Sequence, residues 1–188
     1  MIIITTQCFY PNIGGIEALM TGMASAMYKS GKDILVVADG KKDEDEKIKT
    51  YNIKRFNGWK PIRRIKKAKY INQLCKTNNI EAIYADSWKS VEYLKNVNVP
   101  IFVLAHGTEI QKNINSLNFY KKFKQKRILS SFKKSKKIIA NSNYTKELIK
   151  ESLKIDPDKI NIVHPGIDIY ESFIQNHTIL KIKRIINN

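Results

Sequence analysis

Residues 1–38 read MIIITTQCFYPNIGGIEALMTGMASAMYKSGKDILVVA and hold a complete pattern of strand, loop, helix and strand. The runs IIITT at 2–6 and ILVVA at 34–38 are short, apolar and rich in β-branched residues, which is typical of buried strands. A stripe with helical spacing lies between them and is formed by Ile16, Met20, Met23 and Met27. The stretch therefore predicts two strands joined by a helix.

The same alternation continues along the chain. Further strands are predicted at about 51–56, 82–85, 100–104, 137–140 and 160–163. Helical patterns lie between most of them, one opened by Pro61 and shorter ones at about 88–96 and 143–153. Short continuous strands that alternate with helices favour a mostly parallel sheet with helices on both faces. The predicted fold is α/β, a Rossmann-like, doubly wound domain.

Composition limits the size and the partners of this domain. With 188 residues, 43% of them apolar, the chain has enough material for one packed core. The net charge of +17 predicts attraction to an anion, which leaves nucleic acid, an acidic membrane surface and phosphorylated substrates open. Neither a signal peptide nor an apolar run of about 18 residues is found, so we expect a cytosolic protein. Cys8 and Cys75 are expected to be reduced, structural thiols.

The adjacent glycines Gly14 and Gly15 lie in the loop after the first strand, just before the first helix. In open parallel sheets, ligands bind outside the carboxyl ends of the strands. Glycine lets the backbone approach a ligand closely, and the free N–H groups of a helix start favour a phosphate or carboxylate. A tight turn without a ligand explains the pair equally well, because neither common phosphate-binding glycine motif is present.

Polar side chains follow the other predicted strands. They are Asp86, Ser87, His106, Glu109, Asn141, Ser142 and His164. His106 comes directly after IFVLA and before a glycine, which places an imidazole where it can donate to or accept from a bound hydroxyl. A histidine that only satisfies its own hydrogen bonds is the alternative. The sequence His164-Pro165-Gly166 favours a structural turn.

Four blocks of the sequence, in order, resemble the N-terminal domain of family 4 glycosyltransferases. They are FYPNIGGIEALMTGMASAMYKSGKDILVVA at 9–38, AHGTE at 105–109, KKIIANSNYTKELI at 136–149 and DKINIVHPGID at 158–168. Such enzymes have the GT-B fold of two facing Rossmann-like domains. The resemblance covers residues 1–173, and 174–188 would be a tail or the start of an interdomain segment.

The resemblance implies transfer of a sugar from a nucleotide-sugar donor to a glycan or lipid-linked acceptor, with no metal and no other cofactor. It implies a catalytic role for His106. Donor or acceptor binding is implied for Gly14, Gly15, Glu17, Asn141, Ser142 and Thr145. Many relatives carry a histidine where this chain has Asp86, so no role is carried over to that residue.

The resemblance also implies that a donor-binding domain is missing. In the family, the second domain supplies most of the nucleotide contacts, and this sequence stops at about the point where that domain would start. We therefore expect little or no turnover from the isolated chain. Either a longer polypeptide or a second chain would carry the donor site.

The basic residues concentrate in 60–76 and 117–137, and the second segment interleaves them with aromatic residues. Such segments suit the surface of an anionic bilayer, which predicts a cytoplasmic protein bound peripherally at the inner face of the cell membrane. A lysine-rich solvated face is the alternative.

Three other functions remain open. A nucleic-acid-binding domain fits the charge, although nothing resembles an RNP, KH or zinc-finger pattern. A metal-dependent single-domain transferase would use a D-x-D pair, which is spelled by Asp43-Glu44-Asp45 and by Asp156-Pro157-Asp158. A non-catalytic module that only docks an acceptor or partner is the third.

Overall fold

The computed structural model describes residues 1–41, 51–112 and 118–165. Within these ranges the strands form one seven-stranded sheet in which every neighbouring pair is parallel. The strands are β1 (Ile2–Thr6), β2 (Ile34–Asp39), β3 (Asn52–Phe56), β4 (Ala82–Ala85), β5 (Ile101–Ala105), β6 (Lys137–Ala140) and β7 (Ile160–Ile162). Their order is β3-β2-β1-β4-β5-β6-β7. The predicted doubly wound α/β fold is confirmed.

Helices connect the strands. They are α1 (Gly15–Lys29), α2 (Lys60–Thr77), α3 (Trp88–Val91), α4 (Phe119–Lys134) and α5 (Asn143–Leu153), and a 3₁₀ turn at Pro157–Lys159 precedes β7. The chain moves outward from β1 to β3, and α2 then carries it back across the sheet to β4. The order of strands thus reverses between β1 and β4, and the carboxyl end of this pair is where open α/β sheets bind ligands.

Two apolar layers cover the sheet. On one face, α1 packs Met20 and Ala24 against alternate residues of β1 and β2 such as Ile4 and Val36. On the other face, α2, α3, α4 and α5 share a larger core, in which Trp88 and other side chains are fully buried. Every residue of β1 and of β2 is buried, because both strands are covered on both faces. This explains why they read as continuous apolar runs.

Two helices differ from the sequence expectations. The helix expected over 88–96 is only α3, which ends at Val91. The chain then turns, with the Leu94 N–H donating to the Val91 carbonyl oxygen, and Asn96 has a positive φ of 52°. Helix α4 has no clean apolar period, because its buried side chains include Gln125 as well as Phe132. Its many lysine and arginine residues have high helix propensity, and the side chain of its N-cap residue accepts a hydrogen bond from a backbone N–H.

Several expectations concern residues outside the described ranges, among them the charged stretch with Asp43-Glu44-Asp45 and the proposed tail at 174–188. Across the described ranges, no helix is long and apolar enough to cross a membrane. The same residues hold no group of three or more His, Cys, Asp or Glu side chains that could bind a metal ion. Cys8 and Cys75 are free cysteines.

Candidate active site

The carboxyl ends of β4, β5 and β6 each lead directly into one polar residue. Asp86 follows Ala85, His106 follows Ala105, and Asn141 follows Ala140. Since these three strands are consecutive neighbours in the sheet, the three side chains start along one edge of it. The loop from β1 to α1 leaves the same edge beside β4. The structure therefore brings together the strand-end residues that the sequence singled out.

Asp86 fixes the start of the β1–α1 loop. Its carboxylate is buried, with 2% of the residue exposed, and accepts hydrogen bonds from Thr6 Oγ1 at 3.0 Å and from the Gln7 backbone N–H at 2.7 Å. The Oγ atoms of Ser87 and Ser90 donate to its other oxygen at 3.2 and 2.5 Å. A buried carboxylate is tolerated only when it is bonded in this way, and hydrogen bonds to a charged acceptor are the strong ones.

The side chain of His106 is hydrogen-bonded to the backbone of Asp86. Its Nε2 lies 2.8 Å from the carbonyl oxygen of Asp86, and a carbonyl only accepts, so Nε2 carries the proton and donates. In a neutral ring, Nδ1 is then the nitrogen that accepts a hydrogen bond or a proton. The contact therefore places the proton of the neutral imidazole on Nε2 and leaves Nδ1 as the acceptor.

The residues that follow β5 and β6 pack against each other through Gly107 and Thr145. Gly107 has a φ of +77°, and a Cβ there would lie 2.8 Å from Thr145 Oγ1, so only glycine fits. Thr145 Oγ1 donates to Asn141 Oδ1 at 2.7 Å, and Ser142 Oγ accepts from the Thr145 backbone N–H as the N-cap of α5. Thr145 is 2% exposed. Its hydroxyl is used inside the protein, where it positions the two loops.

The two adjacent glycines have different surroundings. A Cβ at Gly14 would lie 2.3 Å from Glu17 Oε2, because the Glu17 side chain folds back over the N-terminus of α1. A Cβ at Gly15 would meet no atom within 4 Å. A side chain at Gly14 would therefore displace the flexible end of Glu17, whereas a side chain at Gly15 would enter open space at the first turn of the helix. Burial, reinforced by the charges of Asp86 and Glu17, raises the pKa of the nearby Cys8 thiol to about 11.

The model for Glycosyltransferase Family 4 matches residues 13–171, which is most of the chain. The chain belongs to this family. The match begins inside the β1–α1 loop and includes His106, Asn141 and Thr145. A comparison with curated proteins gives no significant match.

Solved structures show the same fold for this family 4 domain. A glycosyltransferase from Rickettsia africae ESF-5 is 17% identical with a TM-score of 0.61, and the match covers 97% of this chain and 49% of that one. Anabaena HepE, solved with UDP-glucose, is 16% identical with a TM-score of 0.60, covering 100% and 51%. The lipopolysaccharide galactosyltransferase WaaB is 16% identical with a TM-score of 0.60, covering 91% and 47%. The chain thus spans about half the length of these neighbours, which have the GT-B fold.

A buried ion-pair network donates hydrogen bonds to the end of β1 and to the β1–α1 loop of the family 4 domain. Lys67 of α2 is 2% exposed, and its Nζ donates to Asp39 Oδ1 at 2.9 Å and to the Thr6 carbonyl oxygen at 2.6 Å. Arg63 pairs with the other Asp39 oxygen at 2.7 Å. Arg55 donates to the carbonyl oxygens of Asp39 and Tyr10. Burial lowers the pKa of Lys67, while the charge of Asp39 opposes that shift.

Glu109 is the titratable carboxyl at this edge with a shifted pKa. Burial raises its pKa from 4.5 to about 7, an effect that the charge of Lys89 opposes and the charge of Asp86 reinforces. Its Oε1 is buried and has no hydrogen-bond partner within the described part of the chain. A carboxyl with a pKa near neutrality can both take up and release a proton at physiological pH.

The sequence identified the glycines, His106 and the residues around Asn141 because they occur in motifs at strand ends. It assigned no role to Asp86, and it gave no indication of Lys67 or Arg55. Lys67 is one lysine among several in α2, and only the packing of α2 on the sheet shows that it is buried. The one available signal for Asp86 was its position directly after a buried strand.

Proposed function

We propose that this chain is the acceptor-side half of a family 4 glycosyltransferase. The complete enzyme would transfer a sugar from a nucleotide-sugar donor to a hydroxyl of a glycan or a lipid-linked acceptor. The observation that carries the proposal is the meeting of the Gly14-Gly15 loop, His106 and Asn141 at one edge of the sheet, beside the point where the strand order reverses. All of these residues lie within the family match.

In the proposed reaction, the bond from the anomeric carbon to the donor diphosphate breaks and a bond to the acceptor oxygen forms, while the acceptor hydroxyl loses its proton to the departing diphosphate or to solvent. The departing diphosphate gains negative charge, and the backbone N–H groups at the open start of α1 near Gly15 would stabilise it. His106 would bind a hydroxyl at the transferred sugar or the acceptor through Nδ1. Ser142 and Asn141 would line the cleft, with Thr145 holding them in place. The proposal needs no metal ion and no other cofactor.

In this proposal, the nucleotide of the donor is bound by a segment outside this chain. The solved neighbours are about twice as long, and one of them was solved with UDP-glucose. We therefore propose that the donor half belongs either to a longer polypeptide or to a partner chain. The isolated 188-residue chain is expected to show little or no turnover.

The experiment that tests the assembly is recovery of the native protein from its own cells with an antibody against this domain. The intact mass and the co-purifying chains are then measured. A polypeptide about twice the 21.8 kDa of this chain, or a 21.8 kDa chain bound to a second Rossmann-like protein, would support the proposal. A 21.8 kDa chain bound to nothing, with no transferase activity in the eluate, would point to a binding module instead.

The loop is tested in the native assembly by Gly15→Val. A side chain at Gly15 has room in the domain, so the melting temperature should stay unchanged while the valine fills the space at the helix start. Transfer activity should fall by about a hundredfold, because displacing a reacting group by 1 Å has that effect. Ala18→Val, exposed on the same helix, is the matched control. Equal activity of the two variants would remove the loop from the mechanism.

A further inference from the structure

Exposed apolar side chains of the described residues concentrate at the carboxyl edge of the sheet. With the exception of Tyr28, every large one lies in a strand-end loop or in the first two turns of a helix that follows a strand. They are Ile13, Trp59, Ile62, Ile65, Phe119, Tyr120, Phe123, Tyr144 and Val163. Trp59 and Phe119 are 72% and 86% exposed. Apolar groups gathered on one side of a protein mark an interaction surface.

Two helices that begin at this edge carry only positive charge. Helices α2 and α4 each contain seven lysine and arginine residues and no acidic residue. Lys60 lies in the first turn of α2, and Lys121 and Lys122 lie in the first turn of α4. The N-terminus of a helix favours negative charge, so lysines there oppose helix formation. Folding does not account for them, whereas an anionic partner beyond both helix ends does.

The relative position of the two helix starts is fixed. Helix α3 lies between α2 and α4, and its residue Glu92 contacts Arg64 of α2 and Arg127 of α4. Glu92 is the residue directly after α3, and its side chain is 9% exposed. All three helices pack on the same face of the sheet. The start of α2 and the start of α4 therefore point the same way and can contact one flat surface together.

We propose that this basic aromatic edge, formed by residues 59–66 and 119–126, docks on the surface of an anionic bilayer. Aromatic side chains such as Trp59 and Tyr120 would sit at the depth of the headgroups, where such residues concentrate in membrane proteins. Lysines beside them would contact acidic headgroups. The exposed aliphatic residues Ile62 and Ile65 favour a bilayer over nucleic acid, because they enter the acyl boundary but do not stack on bases.

Docking through this edge deepens the proposed function and rests on it for the identity of the acceptor. Because the edge is also where the Gly14-Gly15 loop and His106 lie, the docked domain would hold its site close to the headgroup layer. An acceptor carried on a lipid would be found there. The docking itself requires no donor, so its test is independent of transfer activity.

The test is co-sedimentation of the 188-residue chain with vesicles of phosphatidylcholine, with and without phosphatidylglycerol, at low and high salt. Strong binding is expected only with phosphatidylglycerol, and added salt should weaken it. Lys121→Gln with Lys122→Gln should weaken binding by about thirtyfold, since each lysine near an anionic surface contributes about fivefold. Lys29→Gln with Lys32→Gln removes the same charge at the opposite edge and should have little effect.

The aromatic contribution is tested by Trp59→Ser with Phe119→Ser and Tyr120→Ser, which should lower binding by about tenfold or more. Tyr28→Ser, an exposed aromatic at the opposite edge, is the control. Equal binding to neutral and anionic vesicles, or equal loss in edge and control variants, would overturn the proposal. So would edge variants that keep vesicle binding but lose binding to a poly(U) oligonucleotide or to a co-purifying protein. Failure here leaves the proposed transfer reaction intact.

Discussion

The Asp86 carboxylate joins the end of β1, the loop after it and the start of α3. Through its backbone carbonyl, the same residue also holds the His106 ring. Substitutions here should therefore act on the loop and on the imidazole together, although Asp86 itself is buried. We regard Asp86 as a positioning residue for the proposed reaction.

Asp86→Asn should lower the free energy of unfolding by about 2 kcal/mol, because an amide cannot replace a carboxylate that accepts from several donors at once. It should also accelerate hydrogen exchange of the Gln7 amide, because in the unchanged chain this amide donates to Asp86 Oδ2. Ser90→Ala removes one hydroxyl from the same carboxylate and should leave the Gln7 amide protected. Urea unfolding and NMR hydrogen exchange measure both effects. Unchanged exchange at Gln7 in Asp86→Asn would show that the carboxylate does not hold the loop.

Glu109 gives the fold a pH dependence. Its pKa in the folded chain is about 7, above its ordinary value of 4.5, so the folded state binds more protons than the unfolded state between these values. Its contribution to stability is thus complete below pH 4.5 and is lost as the pH rises through about 7. Glu109→Gln cannot ionise. Relative to the unchanged chain, it should gain up to about 3 kcal/mol of unfolding free energy between pH 5 and pH 8.

Urea unfolding of both proteins at the two pH values measures this difference. A constant difference between the unchanged chain and Glu109→Gln would mean that the Glu109 carboxyl titrates as it does in water. Glu81→Gln, which removes an exposed carboxylate far from this edge, serves as the control and should show no such gain.

The lysines in the first turn of α4 would bind the bilayer, but they lower the stability of the helix because they oppose its dipole. Lys122→Glu replaces a lysine that opposes the helix dipole and places a glutamate four residues before Lys126, so the free energy of unfolding should rise by about 1 kcal/mol. Lys133→Glu, at the other end of the same helix, should lower it by a similar amount. Thermal and urea unfolding of the two variants measure the effect. A loss of stability in Lys122→Glu would show that this lysine has a structural partner.

The elements differ in how far the sequence predicts them. Strands were predicted closely, because a strand buried on both faces needs a continuous β-branched run such as IIITT. Helix α3 was predicted too long and α4 was not indicated, since short helices and helices with polar buried residues lack a clear apolar period. The motif residues were found for a similar reason, because a glycine pair or a histidine after a strand is visible locally. The partners of Lys67 and Asp86 cannot be seen locally, because they depend on contacts between segments that are distant in the sequence.

At the level of the full chain, much of the positive charge lies in two helices that begin at the same side of the sheet. Fourteen of the 34 lysine and arginine residues lie in α2 and α4, and both helices begin at the edge that carries the candidate active site. The chain corresponds to about half of its solved neighbours. A domain that presents an acceptor-side cleft and a basic aromatic surface on one side would leave donor binding to the other half.

Strand β1 lies inside the sheet, third in the order of seven strands, although it is the first strand in this sequence. Ile2 pairs with Ile34 on one side and with Ala82 on the other, so β1 has an open edge until β4 has been made. At the usual rate of translation, the residues between β2 and β4 take roughly several seconds to synthesise. During that time a strand of three isoleucines and two threonines has an unpaired backbone edge. Until β4 closes that edge, the nascent chain can pair through it with a strand of another chain.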